Sequence, residues 1–413
     1  MSLAKPAGTY RVLHTADWHL GKLLGDHSRE EEHARFLEFL LGTILDGEVD
    51  VLVVAGDIFD SANPPQSALG QYYDFLARLY SASACSVVIV AGNHDSPGQL
   101  ESPQDVLKTL RTTIVGRVQD DPIVMLPDRE SARLAVAAIP FLRDRDLRSG
   151  QMGEGADAIR GALVAGIAER YADAGARVAD LGVPALATGH LTVLGSAAAD
   201  SERDIHVGGL GAVGAKMFPE EFDYVALGHL HRPQACGGNE IVRYSGSPIP
   251  LSFSEAGDRK EIRLLDFDQA GLVGQQAIEI PLARRLVQLR VRRAELEEAL
   301  AKVEPGAGGL RTWVEAVIEG PVSGEDLLGT IKDLTAGQEF DVVRVMCESR
   351  RSIPGISSGE SAEGQEDLLG DPLKVFSLRL DREPGLEDGE RRELQMAFQE
   401  VWNRLQEAED GEG

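Results

Sequence analysis

Apolar runs that stop abruptly on a polar residue recur along the 413-residue chain. Val51-Leu52-Val53-Val54-Ala55 runs into Gly56-Asp57-Ile58-Phe59-Asp60, and a run apolar at every position predicts a strand buried on both faces. Arg11-Val12-Leu13-His14 leads to Asp17-Trp18-His19-Leu20-Gly21, and Val87-Val88-Ile89-Val90-Ala91 leads to Gly92-Asn93-His94-Asp95. Ala185-Leu186-Ala187-Thr188 leads to Gly189-His190, and Tyr224-Val225-Ala226-Leu227 leads to Gly228-His229-Leu230-His231. Five predicted strands thus end on Asp, Asn or His, mostly after a glycine expected to let the backbone turn sharply. Open α/β sheets hold their ligands at the carboxyl edges of strands, so the pattern predicts a site assembled from strand tips.

Helical periodicity fills the intervals. Phe36, Leu37, Leu40, Leu41 and Ile44 predict a helix over 29–45. Leu69, Tyr72, Tyr73, Leu76 and Tyr80, following Asn63-Pro64-Pro65, predict a second over 66–80. Residues 104–110 and 158–172 read as further helices, 134–139 and 262–267 as strands, and 149–157 and 196–204 as polar loops. From Leu286 the style changes: Val287, Leu289 and Val291 alternate with Gln288, Arg290 and Arg292, a half-buried strand. A helix over 294–303, a strand over 312–318, a helix over 324–334 and a strand over 341–347 complete a small α+β module. Residues 352–370 are rich in Ser, Gly and Glu and read as a flexible linker. Beyond it Leu394, Ala397, Phe398, Val401, Trp402 and Leu405 mark one face of an amphipathic helix, suited equally to core packing and to a partner.

Composition narrows the class. The chain is 43% hydrophobic and 26% charged, ordinary for a soluble globular protein. No apolar run approaches ~18 residues and the N-terminus lacks a signal-peptide layout, so neither a membrane nor secretion is expected. Cys85, Cys236 and Cys347 form no C-x-x-C pair and read as reduced cytosolic thiols. The net charge of −26 argues against a nucleic-acid partner, but it is uneven: residues 359–413 hold 16 acids against 6 bases.

The candidate ligands are Asp17, His19, Asp57, Asn93, His190, His229 and His231. Seven nitrogen and oxygen donors exceed the needs of one divalent ion with an open position. They suit two ions about 3.5–4 Å apart, bridged by one carboxylate, for which Asp57 is the natural choice. Imidazole, carboxylate and amide donors without thiolate favour Mn²⁺, with Mg²⁺ or Fe as alternatives, over Ca²⁺ or structural zinc. Asp17 and His19 stand two apart, as do His229 and His231, so an extended backbone would put each pair on one face. Two such cations lower the pKa of a shared water and polarise a phosphate oxygen. His94, adjacent to a ligand, is better placed to meet the phosphate or protonate the leaving oxygen, and Asp60 is expected to orient it by accepting its other ring proton. His14 reads as structural, and His27 and His33 as surface or helix residues. Any one tip alone is an ordinary turn; five in one chain make a site.

At these motifs the chain resembles the calcineurin-like metallophosphoesterases, and within them the nucleases that act with a coiled-coil ATPase of the SbcC type. The matching stretches are Asp17 to Gly21, Gly56 to Asp60, Gly92-Asn93-His94-Asp95-Ser96-Pro97, Gly189-His190, Gly228 to His231 and Tyr244 to Phe253. The resemblance implies a four-layer α/β fold, a β-sandwich flanked by helices, for a nuclease domain over 10–270. It implies a DNA-capping α+β domain over 283–350, a linker over 351–370, and an acidic helical segment over 371–413 that binds the ATPase. It assigns Asp17, His19, Asp57 and His231 to one metal ion, Asp57, Asn93, His190 and His229 to the other, and makes His94 the catalytic histidine. Some relatives carry His at the position of Asp60, so a direct role for a side chain there does not transfer. DNA is the implied substrate, cut as an exonuclease on double-stranded ends and an endonuclease on single strands and hairpins. A homodimer within a heterotetramer is also implied, with the helix over 66–80 as a contact, in the cytoplasm. The rivals are a phosphatase, a cyclic-nucleotide type of phosphodiesterase, and a scaffold with vestigial metals. Ser61-Ala62 after Asp60, and Asp95 at the end of the third motif, depart from the phosphoprotein phosphatase pattern, and no expected ligand is missing.

Overall fold

Hydrophobic strands at the predicted places pair into two six-stranded sheets. A computed structural model describes residues 3–147, 156–194, 196, 213–306, 308–320 and 327–348, with Leu394 and Phe398 beyond them. Most of the predicted loops 149–157 and 196–204, the linker, and all of the C-terminal apolar stripe except the helical Leu394 and Phe398 lie outside the described residues. The chain divides into a unit of residues 1–349 and a second of 350–413.

In the first unit, β1 (Tyr10–Thr15) passes through a short hairpin of β2 (Leu23–Leu24) and β3 (His27–Ser28) into helix α1 (Glu30–Asp46). Then come β4 (Val51–Ala55), α2 (Gln66–Ala82), β5 (Ser86–Val90), two short helices α3 (Pro97–Glu101) and α4 (Gln104–Thr109), and β6 (Thr112–Val115). The next stretch comprises β7 (Ile123–Leu126), β8 (Leu134–Ala137), α5 (Asp144–Leu147), α6 (Ala156–Val178), β9 (Ala185–His190) and β10 (Tyr224–Gly228). It continues with β11 (Gln234–Cys236), β12 (Asn239–Tyr244), β13 (Glu261–Asp268) and β14 (Gly271–Glu279). The first sheet has the order β14-β13-β1-β4-β5-β6 and the second β11-β12-β10-β9-β8-β7. Strands β1, β4, β5 and β6 run parallel, as do β8, β9, β10 and β12, so their carboxyl ends gather at one edge of each sheet.

The continuous apolar runs have a physical reason: both faces of these strands are covered. Val51, Val53, Val88, Val90, Leu186, Tyr224, Ala226 and Phe267 form the core between the sheets. Leu52, Val54, Val87 and Ile89 point the other way, against Phe36, Leu40, Tyr72 and Leu76 of α1 and α2. The far face of the second sheet packs Ala187, Val225 and Leu227 against Ile167, Tyr171 and Ala174 of α6. The result is the four-layer α/β arrangement, helices outside and two sheets within. Predicted and observed helices agree to within a residue or two at α1 and α2, whereas α6 extends six residues beyond the predicted end. The strand over 262–267 is β13, and a further strand follows it at the edge of its sheet. Strand β14 pairs with β13 along its whole length, and its two glycines and two glutamines hide an edge strand from any hydrophobic pattern.

A separate three-stranded parallel sheet follows, built from β15 (Leu286–Arg292), α7 (Leu296–Ala301), β16 (Thr312–Glu319), α8 (Leu327–Thr335) and β17 (Phe340–Glu348). Its own core joins Leu296 and Leu300 of α7 and Leu327 and Ile331 of α8 to Val314, Ala316 and Ile318. Among the described residues no helix is long and apolar enough to cross a membrane. Cys85 and Cys236 are buried, Cys347 is exposed, and all three are free thiols.

Candidate metal centre

The strand tips meet in a knot of strained backbone. Asp17, His19, Asp57 and His229 have φ of 52°, 48°, 50° and 102°, in the left-handed region that non-glycine residues rarely occupy. The Asp17 and His19 pair therefore does not sit on an extended segment. Trp18 is drawn into the helix side, edge-on to Phe36 and Phe75, and the left-handed residues on either side aim their side chains the opposite way. The turns are tied to each other by main-chain bonds: Asp17 N to Gly56 O at 3.0 Å, His19 N to Asp57 O at 3.0 Å, and Leu20 N to Ile58 O at 2.9 Å. Asp95, fully buried, accepts from the N–H groups of Gly92 (2.9 Å), Phe59 (3.0 Å) and Ile58 (3.2 Å) and so locks the β4 and β5 tips together.

The glycines have two different jobs. Gly56 has φ 93° and provides the turn. At Gly92 the issue is space: a Cβ there would lie 2.1 Å from Asp57 Oδ1 and 2.4 Å from Asp57 N.

Every sequence-predicted residue comes to this place. One donor atom each from Asp17, His19 and His231 lie within 4.8 Å of one another; the same holds for His19, Asp57 and His94, and for Asp17, Asp57 and His190. His190 Nε2 stands 2.9 Å from Asn93 Oδ1 and 3.2 Å from Asp57 Oδ2, and His229 Nδ1 is 3.2 Å from Asn93 Oδ1. Asp17, His19 and Asp57 each belong to two of the three groups. Asp57 Oδ1 also accepts from His94 N, and Asp17 Oδ1 accepts from His229 N, both at 2.9 Å. Asp17, His19, Asp57, His190, His229 and His231 are buried, while Asn93, His94 and Asp60 are half-buried and mark the open side.

Four rings share one orientation rule. His190 Nδ1 donates to Ala55 O at 2.9 Å and His94 Nδ1 to Asp60 O at 2.8 Å. His19 Nδ1 is 3.1 Å from Asp60 Oδ1, and His231 Nδ1 is 3.2 Å from Glu255 Oε1. A proton fixed on Nδ1 leaves Nε2 as a bare lone pair facing the cluster. The Nε2 atoms of His19 and His94 are buried there without a hydrogen-bond partner among the described residues. Orphaned, inward-facing imidazole nitrogens among carboxylates fit a divalent cation and little else.

Asp60 does meet His94, but through its main-chain oxygen; its carboxylate serves His19 and, at 3.1 Å, Lys22 Nζ. The expectation that the Asp60 side chain accepts the His94 proton is corrected accordingly. His14 is fully buried, donating Nε2–H to Leu227 O and meeting the Tyr224 hydroxyl through Nδ1. His27 is exposed beside Trp313, whereas His33, read as a surface or helix residue, is buried in α1.

Charge is strongly polarised in the metal-free cluster. Burial would raise the Asp57 carboxyl, but the His190 imidazole, backed by His19 and His94, overrides it and holds Asp57 well below the carboxylate range. His190 is raised to about 9 against its own burial, because Asp57 faces it. Asp60 is likewise brought down to about 2 despite burial, by His19 and Lys22. The proton so held on His190 would have to leave for a cation to bind there.

This fold and cluster define a phosphoesterase of the calcineurin-like class, and the sequence profile of the calcineurin-like phosphoesterases matches residues 10–130. Similarity to individual proteins reaches much further. The chain is 36% identical over 393 residues to the SbcD subunit of nuclease SbcCD from Escherichia coli (strain K12), covering 94% of this chain and 96% of that one. It is 42% identical over 311 residues to the Rhodobacter capsulatus protein of the same name, covering 71% and 75%, and 36% identical over 260 residues to that of Bacillus subtilis, covering 62% and 66%. The chain belongs to the SbcD family.

Glu255 and Lys260, both wholly buried behind His231, had no signal in the sequence: an isolated Glu and Lys amid polar residues read as surface. Lys22 at the rim was missed as well: a single Lys in a short loop leaves no pattern.

Proposed function

We propose that this chain is a metal-dependent DNA nuclease that hydrolyses phosphodiesters, acting as an exonuclease on double-stranded ends and an endonuclease on single strands and hairpins. The observation that carries the reading is the convergence of nine predicted residues on one cluster, in a chain alike over nearly its whole length to a nuclease subunit. Asp17, His19, Asp57 and His231 would hold one ion, and Asp57, Asn93, His190 and His229 the other, with Mn²⁺ the best match to the donors. When bound, the ions supply Lewis acidity toward a phosphate oxygen and an acidified water. His94, its Nδ1 proton committed to Asp60 O, turns Nε2 toward the reacting phosphate, where a protonated ring stabilises developing charge or protonates the leaving oxygen. The module over 283–350 would cap the DNA. The segment over 371–413 would bind an SbcC-type ATPase, and α2, which exposes Tyr73 and Tyr80, would pair two copies within a heterotetramer.

The test is hydrolysis with Mn²⁺ of hairpin DNA, linear DNA, bis-p-nitrophenyl phosphate and a 3′,5′-cyclic nucleotide, with His94→Gln alongside. DNA cleavage is expected, and His94→Gln should lower it by about 10²-fold or more with two ions still bound. Turnover of the small diesters alone, even with an SbcC-type ATPase present, would assign the chain to the small-molecule phosphodiesterases instead.

A further inference from the structure

Of the residues touching the cluster, His231 is held in the most elaborate way. Its ring nitrogen Nδ1 faces Glu255 Oε1 at 3.2 Å. The other carboxylate oxygen, Glu255 Oε2, accepts from Lys260 Nζ at 2.7 Å and from Leu251 N at 3.2 Å. Lys260 Nζ in turn donates to the His231 main-chain oxygen at 3.0 Å and to Ser247 Oγ at 2.9 Å, and Ser247 N donates to that same His231 oxygen at 3.1 Å. One ion pair thus grips one residue at both ends, ring and carbonyl. Both charged side chains are 0% exposed.

A buried ion pair is a poor device for stability, because desolvating two charges offsets most of their attraction and apolar residues of the same shape serve as well or better. Its presence here calls for another reason, and the other rings supply the comparison. His190 leans on the neutral oxygen of Ala55. His19 and His231 lean on carboxylates. The two carboxylate-backed rings, His19 and His231, fall in one group with Asp17, whereas His190, backed by a main-chain oxygen, stands beside Asn93. A carboxylate behind an imidazole fixes its tautomer and raises its basicity as a ligand.

We propose that Glu255, paired with Lys260 in the interior, is a positioning residue for His231 and sets the occupancy of the metal position formed with Asp17 and His19, leaving the position at Asn93, His190 and His229 unaffected. This rests on the two-ion reading above and adds the residues that make its two halves unequal.

The experiment is Mn²⁺ binding to the full chain, followed by electron paramagnetic resonance of free ion and by calorimetry, with melting of the metal-free protein as a check on folding. Wild type is expected to bind two ions; a wild type that binds fewer than two overturns the two-ion reading and this proposal with it. The double variant Glu255→Leu, Lys260→Met removes both charges and fills the space. It should melt within a few degrees of wild type yet bind one ion about 10- to 100-fold more weakly and the other unchanged, on the order seen for loss of such supports. Glu255→Gln, Lys260→Met restores an acceptor oxygen for His231 and should recover part of that loss. Two ions bound by the Leu/Met variant as in wild type, or both weakened alike at an unchanged melting temperature, would overturn the proposal. If the Leu/Met variant does not fold, the Gln/Met variant decides: one ion selectively weakened upholds the proposal and wild-type binding of both defeats it.

Discussion

At the scale of single residues, the centre is a set of close approaches. Asp57 fits because Gly92 has no side chain: a Cβ at that position would stand 2.1 Å from the carboxylate oxygen, so even a methyl group must move it. Gly92→Ala should therefore displace Asp57, the carboxylate proposed to bridge the two ions. The expected outcome is loss of at least about 10²-fold in turnover, since misplacing a reacting group by about 1 Å has that effect, together with a fall in Mn²⁺ stoichiometry measured by equilibrium dialysis. Two other residues contribute to behaviour in acid. Burial lowers His14 and His33 from 6.5 to about 3. Between those values the unfolded chain takes up two protons that the folded chain refuses, so stability is full above pH 6.5 and falls as the pH drops. Each ring contributes a slope approaching about 1.4 kcal/mol per pH unit. Urea denaturation in EDTA at about pH 7 and about pH 5 should show the loss, and His33→Asn should show a smaller one. The clustered residues were legible in the sequence because a strand that stops on Asp or His is a local pattern. Glu255 was not, because its meaning depends on a fold that carries it back 24 positions onto His231.

At the scale of elements, Trp313 of β16 seats the small module against the rest of the first unit, beside a bond from Arg35 of α1 to Gly308 O at 2.6 Å. Trp313 packs with Leu24, Phe253 and Leu286, and Arg284 lies over its ring at 3.9 Å. Arg284 pairs with Glu32 of α1 at 3.1 Å, Glu32 pairs with Arg29 at 2.7 Å, and Arg29 donates to Pro250 O at 2.7 Å, just ahead of the Ser254-Glu255 turn behind His231. Trp313→Ala should loosen this seat by about 3–5 kcal/mol, the usual range for a buried tryptophan, while the module keeps its own core of Val314, Ala316 and Ile318. Limited proteolysis should then cut between residues 279 and 286 much faster than in wild type, with the released module resisting further digestion; uniform degradation would show that the seat holds the module's fold as well. The sequence disclosed the strands of this module because β15 alternates and β16 is apolar at most positions, both patterns a strand leaves in the chain. It disclosed neither the β2–β3 hairpin, two residues per strand, nor β14, whose stability comes from backbone pairing to β13 and leaves no periodic trace.

At the scale of the whole molecule, the net charge of −26 sets how the chain meets DNA. Two divalent ions would reverse the sign locally at Asp17, Asp57 and Asp60, but they leave the long-range field negative. Binding of DNA by the chain alone should therefore be weak and depend on the metal, and should strengthen with an ATPase partner that adds basic surface, with a steeper dependence on salt as more phosphates are neutralised. Residues 359–413 contribute 16 acids and 6 bases, so a chain ending at Ser358 carries −16 instead of −26. At about 0.01 M salt the screening length is about 30 Å, comparable to the domain itself, so the repulsion from that segment acts wherever it lies; at about 1 M it is about 3 Å and the repulsion vanishes. Fluorescence anisotropy with a labelled duplex and Mn²⁺ should accordingly show the shortened chain binding DNA more tightly than the full chain at low salt, the two curves converging as salt rises. A shortened chain that binds more weakly at every salt concentration would mean that residues 359–413 contact the DNA themselves, and that their acidity is offset by Lys374, Arg379, Arg382, Arg391, Arg392 and Arg404 acting as a local binding surface.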